Sequence, residues 1–256
     1  MKLIDTHAHL YSEKFLEDQD DVLARAAEIN EAIMLPNVDK ASIDQMHALV
    51  DKAPDLCYPM MGLHPVYIPE DFEPILEDME KRLEKTGYYG VGETGLDLYW
   101  DKDTLPRQQT SLEIHIHWAK RFGLPIILHA RNAIDETYEM IAKHHDERLW
   151  GIFHCFDGNA KQAKKIIELG NFKLGIGGIV TYRKDVPKVL EEVPLEYIVI
   201  ETDSPYLAPA PYRRTRNESS YTQYVARKLV EIYDLPYNEI AQLTTRNAKE
   251  IFKSLI

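Results

Sequence analysis

The sequence predicts an α/β fold, a (β/α)8 TIM barrel, on three observations. Short apolar, β-branched runs recur eight times along the 256 residues. Most are separated by stretches whose apolar residues fall three and four apart, the spacing of a helix buried along one stripe. The length also suits such a barrel, which typically takes about 250 residues. Alternating strands and helices build a parallel sheet flanked by helices. Eight units favour a closed ring over an open, doubly wound sheet, and no Gly-x-Gly-x-x-Gly follows the first strand to suggest a dinucleotide fold.

The strands are expected at residues 2–6, 32–36, 57–63, 88–92, 125–128, 150–154, 172–176 and 197–202. The first helix is marked by Val22, Leu23, Ala26 and Ala27, the second by Ile43, Met46, Leu49 and Val50, and the third by Ile75, Leu76, Met79 and Leu83. Residues 112–119 and 134–141 supply the next two, and Ala163, Ile166 and Ile167 the sixth. Residues 186–193 read as a weak helix after the seventh strand, and two helices close the chain at 221–233 and 237–253. In the last, Ile240, Leu243, Ile251, Phe252 and Leu255 share a face. Residues 204–220, rich in Pro, Arg and Tyr, read as a long loop over one end of the barrel. No Gly/Ser linker or low-complexity tract divides the chain, so residues 1–256 are expected to form one domain.

Hydrophobic residues make up 45% of the chain, as in ordinary globular proteins. At this size folding buries roughly three quarters of the unfolded surface, and no disulfide staple is needed. Cys57 and Cys155 sit in apolar strand-like runs and read as buried core thiols, which suits a reducing compartment. Nothing at the N-terminus resembles a signal peptide, and no apolar run approaches the roughly 18 residues of a membrane span. A cytoplasmic protein without a membrane partner is expected, and no protein partner is inferred. The net charge of −12 argues against loose binding to a duplex. It remains compatible with a nucleic-acid substrate, because bound divalent cations would raise the potential of an acidic cleft. Arg213, Arg214 and Arg216, with Tyr212 and Tyr221 nearby, would raise it further.

Active sites of these barrels lie at the C-terminal ends of the strands. The first strand ends in His7 and His9, which share a face because side chains at i and i+2 point the same way. The third ends in His64, the fourth in Glu93, the fifth in His129 and Arg131, the sixth in His154, and the eighth in Asp203. One histidine at a strand end is more often packed or exposed than a ligand. Ligand-type residues ending five of eight strands are hard to assign to packing. Imidazole and carboxylate together suit Zn, Mn, Co or Fe, and carboxylates with water can hold Mg. His7, His9, Glu93, His129, His154 and Asp203 exceed the three or four protein ligands of one catalytic zinc. Two divalent ions sharing a carboxylate would sit about 3.5–4 Å apart. Asp203, on the strand next to the first across the closure, can bind the ion held by His7 and His9. Glu93 can bridge, and His129 and His154 can hold the second ion.

Six segments carry a resemblance: Asp5-Thr6-His7-Ala8-His9, Gly62-Leu63-His64-Pro65, Gly92-Glu93-Thr94-Gly95-Leu96-Asp97, His129-Ala130-Arg131, His154-Cys155-Phe156, and the run from Glu201 through Asp203, Ser204 and Pro205 to Pro209. In this order they resemble the signature blocks of the TatD family of metal-dependent deoxyribonucleases, barrels of the amidohydrolase superfamily. The likeness extends from residue 4 to Asn247, Ala248 and Phe252. It implies His7, His9, Glu93 and Asp203 around one divalent ion, and Glu93, His129 and His154 around the other. It implies substrate contacts from His64 and from residues 213–217. It also implies hydrolysis of DNA phosphodiesters, with 3′→5′ exonuclease action on single strands expected. Three positions depart from the family pattern: Leu98 stands before Tyr99 where a second aromatic is frequent, His115 replaces a common Gln, and Arg214-Thr215 replaces a Gly-Lys pair. None touches an expected ligand; they bear on substrate preference.

The expected chemistry is attack by a metal-activated water, with Asp203 and Glu93 catalytic and Asp203 accepting the proton. His64 would contact the scissile phosphate or the leaving oxygen; the plain alternative is a capping or core histidine. Arg131, Arg213 and Arg216 would contact phosphate, or else form a salt bridge or a solvated loop. Glu201 is expected to hold structure and Asp97 to support a turn. His47, His115, His117, His144 and His145 read as surface or packing residues on helices. His115 and His117 diverge by about 200° and cannot share a ligand face. The alternative activity is hydrolysis of a C–N or ester bond in a small molecule. Related barrels that do this often bridge their ions with a carboxylated lysine, and no lysine neighbours Glu93.

Overall fold

The computed structural model describes residues 1–85, 87–100 and 102–255. Its strands are β1 (Leu3–Asp5), β2 (Asn30–Pro36), β3 (Cys57–Met60), β4 (Val91–Asp97), β5 (Ile126–Arg131), β6 (Gly151–Phe153), β7 (Phe172–Ile176) and β8 (Ile198–Ile200). They pair in parallel and in sequence order, as β1-β2-β3 and as β4 through β8. Two seams close the ring. At one, Met61 N–H donates to Gly90 O (3.1 Å) and Gly92 N–H to Met61 O (2.8 Å). At the other, Thr6 N–H donates to Ile200 O (3.0 Å), Asp203 N–H to His7 O (2.9 Å) and His9 N–H to Ser204 O (2.7 Å).

The helices are α1 (Gln19–Ile29), α2 (Ser42–Lys52), α3 (Glu73–Leu83), α4 (Leu105–Phe122), α5 (Ile134–His144), α6 (Ala160–Glu168), α7 (Asp185–Leu190), α8 (Thr222–Tyr233) and α9 (Tyr237–Ile251). Each buries the apolar stripe its spacing predicts: Val22, Leu23 and Ala26 in α1, for example, and Ile43, Met46 and Leu49 in α2. Among the described residues no helix is long and apolar enough to cross a membrane.

The strands are buried on both faces, and their side chains alternate between two cores. Ile4, Ala32, Met34, Met60, Ile127, Ile152 and Val199 meet in one cluster, which α9 closes with Ala248, Ile251 and Phe252. Their neighbours Ile126, Leu128, Phe153, Ile198 and Ile200 belong to the cluster that includes α3 to α6 residues. The barrel is therefore filled, and the opposite end carries the polar residues.

The expected β4, 88–92, is displaced: the strand starts at Val91 and runs on through Glu93 to Asp97. Gly92 and Gly95 make this segment read as a turn. Gly95 instead lies directly beside His129, at φ +141°, and a Cβ there would fall 2.0 Å from His129 O. Glycine permits a close approach of two backbones within the sheet.

Candidate metal centre

The segments just beyond β1, β3, β6 and β8, together with β4 and β5 themselves, bring six expected residues and His64 to one mouth. His7 and His9 follow β1, with Ala8 between them bridged to Ser204. Their Nε2 atoms are 3.2 Å apart, so the shared face expected from their spacing is present. Glu93, 3% exposed, reaches between two sets of imidazoles. Its Oε2 lies 3.2 Å from His7 Nε2 and 3.5 Å from His9 Nε2. Its Oε1 lies 3.0 Å from His129 Nδ1, 3.3 Å from His64 Nε2 and 3.7 Å from His154 Nε2. Asp203 Oδ1 stands 3.5 Å from His9 Nε2 and 3.9 Å from His7 and His154 Nε2.

These separations fit metal ligation. Ligands 2.0–2.2 Å from a tetrahedral ion lie about 3.3–3.6 Å from one another. The His7 and His9 Nε2 atoms lie 3.2 Å apart and 3.2–3.9 Å from the carboxylate oxygens of Glu93 and Asp203, close to that edge length. They also leave two imidazole nitrogens facing each other across 3.2 Å, an arrangement that a shared cation explains without a proton between them.

The outer nitrogens decide which histidines offer a lone pair, since a ring nitrogen that donates outward leaves the other free as a ligand. His9 Nδ1 is 3.2 Å from Pro36 O and 2.9 Å from Tyr11 Oη, which itself donates to Pro36 O. His129 Nε2 is 2.9 Å from Asp97 Oδ2. His154 Nδ1 stands 2.9 Å from Glu201 Oε1 as a charge pair without an aligned hydrogen bond, and Glu201 Oε1 accepts from Cys155 N–H (2.6 Å). His9 and His129 thus present their remaining nitrogen to the mouth, and His154 turns its Nε2 toward Glu93 and Asp203. His64 differs: its Nδ1 accepts from Val66 N–H (3.2 Å), so its Nε2 carries the hydrogen and points toward Glu93 as a donor. The capping role and the place at the mouth are thus both present in His64.

Burial pushes the Glu93 carboxyl up, but His64, His7 and His129 outweigh it and hold it well below the usual carboxylate range. Asp203 is likewise raised by burial yet held low overall, by the hydrogen bond from His9 and the charges of His154 and His7. Burial lowers the His7 imidazole. His154 is pushed up to about 10, because Glu201 overcomes a burial effect of opposite sign.

Asp97 supports the expected turn, accepting from Tyr99 N–H and Trp100 N–H (both 2.9 Å), and in addition holds His129. Glu201 is fully buried and structural, fitting beside Gly175, where a Cβ would fall 2.2 Å from Glu201 Oε2. Arg131 lines the mouth with its guanidinium 4.4 Å over the Tyr99 ring. Arg213 and Arg216 do not line the cleft of about 760 Å³ that contains Glu93, His64 and Asp203. Arg213 stacks 4.1 Å over Tyr182. Arg216 forms a bidentate pair with Asp18 (2.7 and 2.6 Å) and donates to Lys14 O (2.8 Å), which ties the late loop to the first. A phosphate ligand at Arg216 would have to displace that pair. Cys57 is a core thiol as expected, but Cys155 is only half-buried and lines a cavity beside His154.

Several supporting residues were not expected from the sequence. Asn37, just past β2, donates to Gly62 O and accepts from Gly62 N–H (both 2.9 Å), fixing the backbone before His64. Gln108 on α4 accepts from Asp97 N–H (2.7 Å) and donates to Asp97 O (3.0 Å). His115 is fully buried; its Nδ1 lies 2.7 Å from Ser111 O, and its Nε2 accepts from Leu63 N–H (3.0 Å). The signal for the last two is a polar stripe at helical spacing, Gln108, Ser111 and His115, beside apolar Leu112, Ile116 and Ala119.

Burial lowers the His115 pKa from 6.5 to about 4. A depressed pKa means that the unfolded chain binds the proton first. Its contribution to stability is therefore complete above about pH 6.5 and is lost as the pH falls toward 4, on the order of 3 kcal/mol in all. Unfolding free energies of wild type and His115→Gln between pH 4 and 7 should show a shallower slope in the variant. Parallel curves would contradict the assignment.

The family model for TatD related DNase matches residues 4–253. The chain belongs to this family. It is 36% identical to the metal-dependent hydrolase YabD of Bacillus subtilis, over 98% of this chain and 99% of that protein. It is 32% identical to the metal-dependent hydrolase YcfH of Escherichia coli K12, over 98% and 96%. The crystal structure of YjjV, a TatD homologue from E. coli K12, superposes with a TM-score of 0.92 at 31% identity, covering 98% of both chains. The fold extends to a hydrolase of the TatD family from Entamoeba histolytica, at a TM-score of 0.87 and 21% identity. This TatD-family chain is a metal-dependent hydrolase with a TIM-barrel fold, and its clustered imidazoles and carboxylates support the use of divalent metal.

Proposed function

We propose that residues 1–256 act as one hydrolase domain that cleaves DNA phosphodiesters with two divalent ions, removing nucleotides from the 3′ end of single strands. The observation that carries this reading is the division of Glu93, whose two oxygens face two sets of imidazoles. Such a division suits a pair of cations, and a pair of cations suits an in-line displacement at phosphorus. His7, His9, Glu93 and Asp203 would hold one ion, and Glu93, His129 and His154 the other. Their chemistry when bound is Lewis acidity toward phosphoryl oxygens and activation of water. Asp203, held ionised, would orient the attacking water and accept its proton. The bond formed is from water oxygen to phosphorus, and the bond broken is that from phosphorus to the O3′ of the preceding nucleotide. His64, with its hydrogen on Nε2, would donate to the phosphate or the leaving oxygen, and Arg131 would contact phosphate beside it.

The rim supports a nucleic-acid strand over a small ester or amide. Tyr67, Tyr99, Trp100 and Tyr206 are each about half or more exposed, on the loops that follow β3, β4 and β8. Exposed aromatic rings offer stacking surfaces to unpaired bases, worth about 1–3 kcal/mol per base. Trp100→Ala should therefore raise KM for single strands by about tenfold. It should leave kcat, and the hydrolysis of a chromogenic phosphodiester without a base, near wild type. An unchanged KM would remove the rim from the account.

Single strands labelled at the 3′ or the 5′ end, incubated with and without chelator, test the activity and its polarity. The expected result is chelator-sensitive release of nucleotides from the 3′ end. Absence of metal-dependent cleavage of any nucleic acid would favour the small-molecule C–N or ester hydrolase instead.

A further inference from the structure

Away from the mouth, α4 and α5 carry another group of ligating side chains. Glu113 and His117 are four residues apart on α4, so they project from one stripe. His144, the last residue of α5, faces them. Its Nε2 lies 3.1 Å from Glu113 Oε1, and its ring centroid lies 5.7 Å from that of His117, the planes at 80°. One ligand atom from each of the three lies within 4.8 Å of the others.

Two features distinguish this group from a surface ion pair. His144 Nε2 is shielded from solvent yet makes no aligned hydrogen bond. Burial also holds His144 below its ordinary pKa, against the pull of Glu113 and with Lys143, His117 and Lys120 adding to the effect. A neutral imidazole has a lone pair to give, whereas a salt bridge to Glu113 would need it charged. The competing cation is Lys143, whose Nζ is 3.7 Å from Glu113 Oε1; its side chain is 71% exposed and can turn into solvent.

We propose that Glu113, His117 and His144 form a surface site for a borderline divalent cation of the Zn2+ class, which clips α4 to α5. Three protein ligands and a water complete the tetrahedron that Zn2+ prefers, while two imidazoles select against Mg2+. The site is separate from the barrel mouth, because none of the three residues lines that cleft. It still bears on the mouth through α4, which carries Gln108 and His115 on the face that holds Asp97 and Leu63.

The test is equilibrium dialysis of the full chain against Zn2+, followed by thermal unfolding with Zn2+ and with Mg2+. Wild type should bind one more Zn2+ per chain than either His117→Ala or Glu113→Gln. Zn2+ should raise the wild-type midpoint more than Mg2+ does, and both variants should lose that excess. Hydrolysis by the variants, assayed with Mg2+ or Mn2+, should remain at the wild-type level. Equal Zn2+ per chain in wild type and variants, or an undiminished Zn2+ excess in the midpoint, would overturn the proposal.

Discussion

Glu93→Gln should remove metal binding and hydrolysis together, lowering kcat by about 10³-fold or more. The amide keeps the shape of the side chain but loses its charge and one acceptor. In wild type, Oε2 serves the His7 and His9 side while Oε1 serves the His129, His64 and His154 side. An amide can place an oxygen toward one side only, and its NH2 then faces the nitrogens of the other. Metal content by plasma emission and single-turnover hydrolysis read the two losses separately. Circular dichroism checks that the fold survives. A variant with full activity and full metal would end the bridging account.

Asp203→Asn should separate binding from chemistry. His7, His9 and Glu93 remain, so metal is retained, more weakly. The group expected to take the proton from water is gone, and positioned general bases contribute about 10²–10⁴-fold. At saturating metal, kcat should fall by that order. A kcat within tenfold of wild type would reassign the proton to another group.

Much of the fold and of the candidate site could be read from the sequence, for a physical reason. Barrel strands are apolar on both faces, so they stand out as runs, and the residue that ends each run is bound to face the mouth. His7, His9, His64, His129, His154 and Asp203 all lie at or just past such ends, and the structure brings them together around Glu93. The sequence places Glu93 at a strand end and misses that the strand runs on past it. Glu93 lies inside a strand whose glycines, Gly92 and Gly95, carry no side chains to show the strand's period. The roles of His64 and Arg216 were not legible because they depend on particular partners in the folded chain. Val66 N–H sets the tautomer of His64, and Asp18, nearly two hundred residues before Arg216, occupies its guanidinium. The residues that fix the backbone around the mouth, Asn37, Gln108 and His115, were hidden for the same reason: their partners are backbone groups of other segments.

Anomalous diffraction from crystals grown with Mn2+ tests the central claim most directly. Two peaks about 3.5–4 Å apart are predicted, one on each side of the Glu93 carboxylate. One should contact His7, His9 and Asp203, and the other His129 and His154. A single peak, or two peaks that do not share Glu93, would contradict the account.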